Sequence, residues 1–310
     1  MKILRDYQFV DPADRGATAA IGNFDGVHIG HQSVISLARS AAPDAPLGVL
    51  TFEPHPRAFF APDAPPFRLM SREARASRLE KLGVEVLCEL NFNAALAALA
   101  PQEFARRVIA DGFGLKHVIV GSDFCFGKGR AGTAADLVQF GRQMDFGVTV
   151  APLVSQAETT VSSTAIRRAL SDGAPRDAAA MLGHWHRIEG PVIGGEQRGR
   201  ELGYPTANMS IDGLHPPAFG VYAVLVDVLS GPHAGSYHGV ASMGVRPMFG
   251  ENRPNLETFI FDFQGDLYGT PLSVGLVEYL RPEAKFDGLD ALITQMDADS
   301  VRTRDILAAL

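Results

Sequence analysis

Hydrophobic positions divide the chain into two stretches with different periods. Between residues 17 and 182, short apolar runs that predict strands alternate with runs of helical spacing. This alternation is typical of a parallel sheet covered by helices on both faces. Near Gly183 it gives way to short β-rich runs separated by Gly and Pro, which end in one helical stretch. The sequence therefore predicts an N-terminal doubly wound α/β domain, residues 1–182, and a C-terminal antiparallel β-barrel domain, residues 183–310.

Strand and helix bounds follow from the apolar period together with Pro, Gly and capping residues. The predicted strands are 17–21, 47–52, 84–90, 117–121, 148–153, 187–193, 207–211, 222–228, 237–243, 256–263 and 272–278; the predicted helices are 33–42, 71–82, 101–111, 133–144, 162–170, 175–182 and 289–310.

Composition and charge exclude several classes of protein. The net charge of −7 argues against nucleic acid as a partner, because no basic stripe is available to neutralise phosphates. Cys88 and Cys125 are too few for a disulfide framework and lack metal-ligand spacing. No apolar run is long enough for a signal peptide or a membrane helix. We therefore expect a cytoplasmic soluble protein with small-molecule substrates and no membrane partner, as a monomer or weak homo-oligomer.

The densest chemistry lies in residues 19–31, AAIGNFDGVHIGH, between a predicted strand and a predicted helix. Turns of this kind lie at the ligand-binding edge of open α/β sheets. The glycines let the backbone approach a ligand closely, and the helix start presents N–H groups suited to phosphate. His28 and His31 are spaced so that both rings can lie over the first helical turn. The alternative is a tight turn with two ordinary surface histidines.

The run GNFDGVHIGH resembles the HxGH signature of nucleotidylyltransferases, in the form found in prokaryotic FMN adenylyltransferases, the FAD synthetases. The resemblance implies that His28 and His31 hold the ATP triphosphate and stabilise charge as pyrophosphate leaves. It implies no enzyme nucleophile, because the FMN phosphate itself attacks the α-phosphorus. The other ATP-binding residues that it implies in this run are Gly22, Asn23, Phe24 and Asp25.

Two later segments resemble further signatures of the same family. Residues 120–130 are similar to GxDFxFGxxRxG, which implies that Asp123 and Phe124 bind flavin; a P-loop is excluded because Gly129 stands where Ser or Thr is required. Members commonly carry Arg where this chain has Cys125. Residues 161–168 match SSTxIR, whose hydroxyls and Arg bind ATP phosphates, here Ser163, Thr164 and Arg167. In the family the loop that carries Glu53 and His55 lies near the flavin.

A second cluster, residues 190–208, combines a Gly-rich loop with Thr206 and Asn208. Residues two apart on an extended segment point to the same side, and their oxygens suit Mg²⁺. The alternative is a turn-rich hairpin in which both side chains serve backbone hydrogen bonds.

The run GRELGYPTAN resembles the GRxLGxPTAN signature of riboflavin kinase, a Greek-key barrel enzyme. The nucleotide-binding residues that this implies are Gly199, Arg200, Gly203, Pro205, Thr206 and Asn208, with Mg²⁺ on the last two. Residues 256–263, LETFIFDF, resemble its second signature, with Glu257 as the general base that also contacts flavin. Residues 280–286 resemble its run before the C-terminal helix, and Arg281 is expected to contact flavin.

Both resemblances together cover nearly the whole chain and imply the bifunctional prokaryotic riboflavin kinase/FAD synthetase. The implied reactions are phosphorylation of riboflavin to FMN and adenylylation of FMN to FAD, each with ATP and Mg²⁺. Two alternatives remain at this point. One is a nucleotidylyltransferase for pantetheine phosphate or a phosphoalcohol, and the other is a non-catalytic flavin-binding protein.

Overall fold

The computed structural model describes residues 1–152, 155–156, 159–194, 203–248 and 251–310. The chain forms two compact units, residues 1–64 with 75–161 and residues 65–74 with 162–310. The first contains a parallel sheet with helices and the second an antiparallel barrel-like sheet with a C-terminal helix, so the predicted fold class is confirmed. Within the described residues, no helix combines the length and apolarity needed to cross a membrane.

The first unit is built on a six-stranded sheet in the order β1-β4-β3-β2-β5-β8, in which every pair of neighbours is parallel. Strand β2 is central, and the chain continues to β3 and β4 on one side and to β5 and β8 on the other. The carboxyl end of β2 is therefore the topological switch point, where ligands bind in sheets of this type. The strands up to residue 160 are β1 (Lys2–Leu4), β2 (Thr18–Ile21), β3 (Leu47–Glu53), β4 (Val86–Asn91), β5 (His117–Gly121), β6 (Cys125–Phe126), β7 (Gly132–Thr133), β8 (Gly147–Ala151), β9 (Ser155–Gln156) and β10 (Thr159–Thr160).

Helices follow most of these strands in the predicted alternation. The predicted helix 101–111 differs in detail: its α-helical part ends at Phe104, and π-helical turns continue over Ala105–Phe113 until Gly114 adopts a left-handed φ of 58°. The α-helices up to residue 144 are α1 (Ile29–Ala41), α2 (Pro56–Phe60), α3 (Arg72–Lys81), α4 (Ala94–Ala97), α5 (Pro101–Phe104) and α6 (Ala134–Met144).

The second unit is built on a six-stranded antiparallel sheet in the order β11-β16-β13-β14-β15-β12. The backbone N–H of Ile193 donates to the carbonyl of Asn208 at 2.8 Å, which brings the two edge strands together. The predicted strand 256–263 ends earlier, at Ile260, because Asp262 turns the chain with a left-handed φ of 56°. The strands are β11 (His186–Pro191), β12 (Thr206–Ser210), β13 (Gly220–Val228), β14 (Gly235–Met248), β15 (Glu251–Ile260) and β16 (Pro271–Arg281).

The α-helices described beyond residue 161 are α7 (Ser163–Ser171), α8 (Pro175–Leu182) and α9 (Leu289–Ala308). Helix α9 packs through Leu307 on the barrel, as the apolar positions of the tail predict. Helices α7 and α8 form a small core of their own that also includes Leu69 of the segment 65–74. Both helices and that segment belong to the same compact unit as the barrel.

Candidate active sites

The turn between β2 and α1 carries the first candidate site and has a strained backbone. Three of its residues have a positive φ: Phe24 at 51°, Gly26 at 85° and Val27 at 43°. A positive φ is costly for a β-branched residue, and such strain concentrates at functional turns. Phe24 and Val27 are buried, so packing holds this conformation and brings the turn to the start of α1.

His28 and His31 stack on each other at the helix start. His28 is the N-cap of α1, and its Nδ1 accepts the backbone N–H of His31 at 3.3 Å. The ring centroids are 3.6 Å apart with 17° between the planes, and Phe24 packs on His31 at 5.0 Å. Because Nδ1 of His28 accepts, the hydrogen of the neutral ring is on Nε2.

Both imidazoles are neutral at physiological pH. Burial lowers the pKa of His28 to about 4. Burial, and then the proximity of His28, lower the pKa of His31 well below its ordinary value. The pair therefore presents neutral imidazole rings, because two imidazolium charges would repel each other strongly at this separation.

Arg75 on α3 holds the turn between β2 and α1 in place, and it was not predicted from the sequence. Its side chain is 1% exposed, and one terminal nitrogen donates to Glu53 at 2.9 Å and to Glu89 at 3.2 Å. The other donates to the carbonyl of Asn23 at 3.5 Å, which also accepts the hydroxyl of Thr51 at 3.2 Å. A guanidinium has enough fixed donors to tie the turn to β3 and β4 at once.

The predicted flavin-side residues of this unit lie in two loops that follow strands. Glu53 ends β3 and is paired with Arg75, and Nδ1 of His55 caps α2 by accepting the N–H of Arg57 at 3.0 Å. In the other loop Asp123 is exposed and its carbonyl is 3.6 Å from the Cys125 thiol. Phe124 in that loop stacks on the ring of Phe126, with centroids 5.4 Å apart.

An aromatic cluster beside α2 was not predicted as part of the site. Phe59, Phe60 and Phe92 meet edge to face, with ring centroids 5.1 to 5.7 Å apart. Phe60 is 68% exposed, which is unusual for so large an apolar side chain. The surface suits a flat aromatic ligand. The signal in the sequence is the pair Phe59-Phe60 directly after the Glu53 loop.

The predicted phosphate-binding residues of the third motif lie in the second unit, at the start of α7. Ser162 caps the helix by accepting the N–H of Ala165 at 3.2 Å, and Ser163 and Thr164 form its first turn. Arg167 is half-buried, and its Nε donates to the carbonyl of Phe67 at 2.5 Å. The guanidinium carbon is also 5.4 Å from the centroid of the Phe67 ring.

The barrel brings Thr206, Asn208 and Glu257 into one cluster. Asn208 on β12 is directly opposite Glu257 on β15, and Thr206 is opposite Phe259. Side chains of directly opposed residues lie on the same face, with Cβ atoms about 5 Å apart. The strand register therefore sets an amide oxygen and a hydroxyl beside a carboxylate.

Asn255 joins this cluster and was missed by the sequence analysis. Its side-chain amide lies 3.5 Å from Oδ1 of Asn208 and 3.4 Å from Oε1 of Glu257, and it is 2% exposed. The alternation of side chains along a strand could have predicted this position, because Asn255 and Glu257 are two residues apart and share a face.

A cavity of about 270 Å³ opens beside Thr206. On the loop before β12, Gly203 has a φ of 81°, and a Cβ there would meet nothing within 4 Å. Pro205 is exposed at the cavity, whereas the predicted residues Gly199 and Arg200 lie outside the described part of the chain. The cavity is lined by Val192, Pro205, Thr206, Ala207, Thr258, Ile260, Phe263, Gln264, Gly265, Asp266, Leu267 and Tyr268.

Arg281, predicted to contact flavin, lies at the end of β16 against helix α9. Its guanidinium makes a bidentate ion pair with Asp299, with contacts of 2.7 to 3.2 Å. Asp299 is 6% exposed. In this arrangement Arg281 holds the C-terminal helix to the barrel.

Both sites collect groups of the kinds that can bind phosphates: neutral imidazoles at a helix start in one unit, and hard oxygen donors beside a carboxylate in the other. They define the class of enzymes that transfer phosphoryl or nucleotidyl groups. Comparison with protein-family models agrees with this class. The model of the FAD synthetase family matches residues 10–165, and the model of the riboflavin kinase family matches residues 182–307.

Relatives with both parts extend over the whole chain. The bifunctional riboflavin kinase/FMN adenylyltransferase of Pseudomonas fluorescens is 40% identical over 313 residues, covering 99% of this chain and 98% of that protein. The protein of the same name from Escherichia coli K12 is 35% identical, covering 98% and 97%. A crystal structure described as a macrolide-efflux protein from Streptococcus pneumoniae has a TM-score of 0.83 at 33% identity, covering 97% and 98%.

The chain belongs to the bifunctional riboflavin kinase/FMN adenylyltransferase family. It phosphorylates riboflavin to FMN and then converts FMN to FAD, with ATP as the second substrate of both reactions. The sequence-based prediction of both activities is confirmed, and the alternatives of a different nucleotidylyltransferase and of a non-catalytic flavin binder are excluded.

Proposed function

We propose that the two reactions run at separate sites, with Glu257 as the base of the kinase and with His28, His31 and Arg167 as the phosphate-binding groups of the adenylyltransferase. The observation that carries the kinase half is the Asn208–Asn255–Glu257 cluster, which holds a carboxylate beside oxygen donors. In this proposal, residues 1–182 carry out adenylylation and residues 183–310 carry out phosphorylation.

In the kinase reaction, the 5′-hydroxyl oxygen of riboflavin forms a bond to the γ-phosphorus of ATP, and ADP leaves. Glu257 accepts the hydroxyl proton as the new bond forms. Asn255 holds Oε1 of Glu257, which keeps the carboxylate directed along the strand face. The cavity beside Thr206 has room for a nucleotide base, with both apolar and polar side chains in its lining.

The same cluster is suited to a magnesium ion. Thr206 and Asn208 contribute hard oxygens from one face of β12, which are ligands that Mg²⁺ prefers. No group of three or more His, Cys, Asp or Glu side chains within the described residues could hold a metal, and Thr206 and Asn208 are the pair that would hold this ion. An ion bound there would supply charge neutralisation for the phosphates.

In the adenylyltransferase reaction, a phosphate oxygen of FMN attacks the α-phosphorus of ATP, and pyrophosphate leaves. The neutral Nε2–H of His28 donates to phosphate oxygens as their charge changes, and His31 supports that ring by stacking. Arg167 supplies a fixed positive charge. The exposed ring of Phe60 offers a surface for the flavin ring system.

Mixing two single variants tests the separation of the sites. Asn208→Ala is expected to lose about a hundredfold in FMN formation and to convert supplied FMN to FAD normally, while His31→Ala shows the reverse pattern. Each variant's surviving activity is its own control for folding. Given riboflavin and Mg-ATP, the mixture should make FAD much faster than either variant does alone. If either variant loses both activities while remaining folded, the sites are not separate.

A further inference from the structure

The connection between β12 and β13, residues 211–219, is part of the kinase barrel but contacts the elements that carry Arg167. The N–H of His215 donates to the carbonyl of Arg68 at 2.8 Å, and Leu214 pairs with Arg68 in a parallel bridge. The N–H of Ala218 donates to the carbonyl of Leu170, on helix α7, at 2.9 Å. All of these residues belong to the second compact unit.

The side chain of His215 reaches the backbone of Arg167 itself. Its Nε2 is 3.0 Å from the carbonyl oxygen of Arg167 and 3.0 Å from the hydroxyl of Ser171. A carbonyl only accepts, so Nε2 of His215 carries the hydrogen and donates it. His215 therefore fixes α7 at the residue from which the guanidinium extends.

The guanidinium end of Arg167 is held through the same connection. The Nε of Arg167 donates to the carbonyl of Phe67 at 2.5 Å, and the guanidinium carbon lies 5.4 Å from the centroid of the Phe67 ring. Phe67 precedes Arg68, whose backbone is bound to Leu214 and His215. Residues 214 and 215 thus hold the helix and the segment that together set the direction of the Arg167 side chain.

We propose that His215, a residue of the kinase barrel, is a positioning residue for the adenylyltransferase reaction and acts through Arg167. This inference rests on the proposed role of Arg167 in binding the ATP phosphates. A bidentate contact between guanidinium and phosphate depends strongly on orientation, so a small rotation of α7 weakens it. The barrel thereby contributes to a reaction other than its own.

Three substitutions of His215 provide the test. His215→Leu keeps bulk but removes the donor, and it is expected to lower kcat/KM for ATP in FAD formation from supplied FMN about tenfold, mainly by raising KM. The KM for ATP in FMN formation should stay within about twofold of wild type. His215→Gln places an amide N–H near the position of Nε2 and should restore most of the activity, whereas the shorter His215→Asn should not. His238→Leu, an exposed histidine on β14, is the matched control and should change neither reaction.

Arg167→Ala, alone and combined with His215→Leu, separates failure of this inference from failure of the proposed function. If His215 acts through Arg167, the double variant is no worse than Arg167→Ala alone. If Arg167→Ala leaves FAD formation unchanged, the role of Arg167 is wrong. If Arg167→Ala impairs FAD formation but His215→Leu does not, or if their effects simply multiply, the positioning role of His215 is wrong. Should His215→Leu fail to fold, equal FAD formation by the Gln and Asn variants would overturn the proposal.

Discussion

Replacing Asn255 by leucine is expected to slow the kinase reaction selectively. The side chain is buried and its amide contacts both Asn208, at 3.5 Å, and Glu257, at 3.4 Å. Leucine has a similar volume and shape but no donor. Hydrogen bonds to charged groups contribute about 1.5–3 kcal/mol, and these two are long, so the lower part of that range applies. At about 1.4 kcal/mol per factor of ten, FMN formation should fall roughly 10- to 30-fold.

Asn255→Asp is a sharper form of the same perturbation. It sets a second carboxylate about 3.4 Å from Glu257, where two negative charges repel by about 5 kcal/mol at an effective dielectric constant of 20. One of the two carboxylates then retains a proton to higher pH. A general base must be deprotonated, so the acid limb of the kinase pH profile should move to higher pH.

The assay follows flavins separated by chromatography after incubation with Mg-ATP. FMN formation from riboflavin reports the kinase, and FAD formation from supplied FMN is the internal control for folding. An Asn255→Leu protein that phosphorylates riboflavin within twofold of wild type would refute the catalytic role given to this cluster. So would an Asn255→Asp protein with an unshifted pH profile.

Three further predictions concern the first unit. His28→Ala should lower FAD formation from FMN about a hundredfold, because a preorganised donor is lost, while FMN formation persists; equal loss of both activities in stable protein would contradict this. Burial lowers the pKa of His28 from 6.5 to about 4. Between pH 4 and pH 6.5, His28 therefore binds a proton in the unfolded chain but not in the folded protein. The contribution of His28 to stability is therefore present above pH 6.5 and is lost as pH falls, by about 2 kcal/mol at pH 5. Urea denaturation should show that the free energy of unfolding differs between pH 8 and pH 5 by that amount less in His28→Gln than in wild type. An unchanged difference would contradict burial of His28 as the cause. Cys125→Ser should retain both activities in the flavin assay, since no step uses the thiol; complete inactivation would show that the loop after β5 is misinterpreted.

Strand and helix positions were predictable because they depend on local periodicity. Burial on both faces makes β2 and β3 continuous apolar runs, and the spacing of Gly and Pro sets their ends. The two histidines and the Thr–Asn pair were also accessible, since each pair is close in sequence and its geometry follows from one helix start or one strand.

The residues that were missed depend on contacts distant in sequence. Arg75 occurs in a predicted helix, but its partners lie on β3, on β4 and in the turn after β2. The ion pair of Arg281 needs Asp299, and no local pattern shows which residue of the C-terminal helix lies opposite Arg281. The segment 65–74 has no period that would reveal its contact with the connection 211–219. Only the folded chain brings these groups together.

The most direct test of the account is the activity of Glu257→Gln with each flavin substrate in turn. Glutamine keeps the shape of the side chain and a hydrogen-bonding oxygen but cannot accept the hydroxyl proton. The expected result is a loss of about a hundredfold or more in FMN formation from riboflavin, the usual range for removal of a general base. FAD formation from supplied FMN should be nearly unchanged in the same protein. Kinase turnover within about threefold of wild type would remove Glu257 from the mechanism.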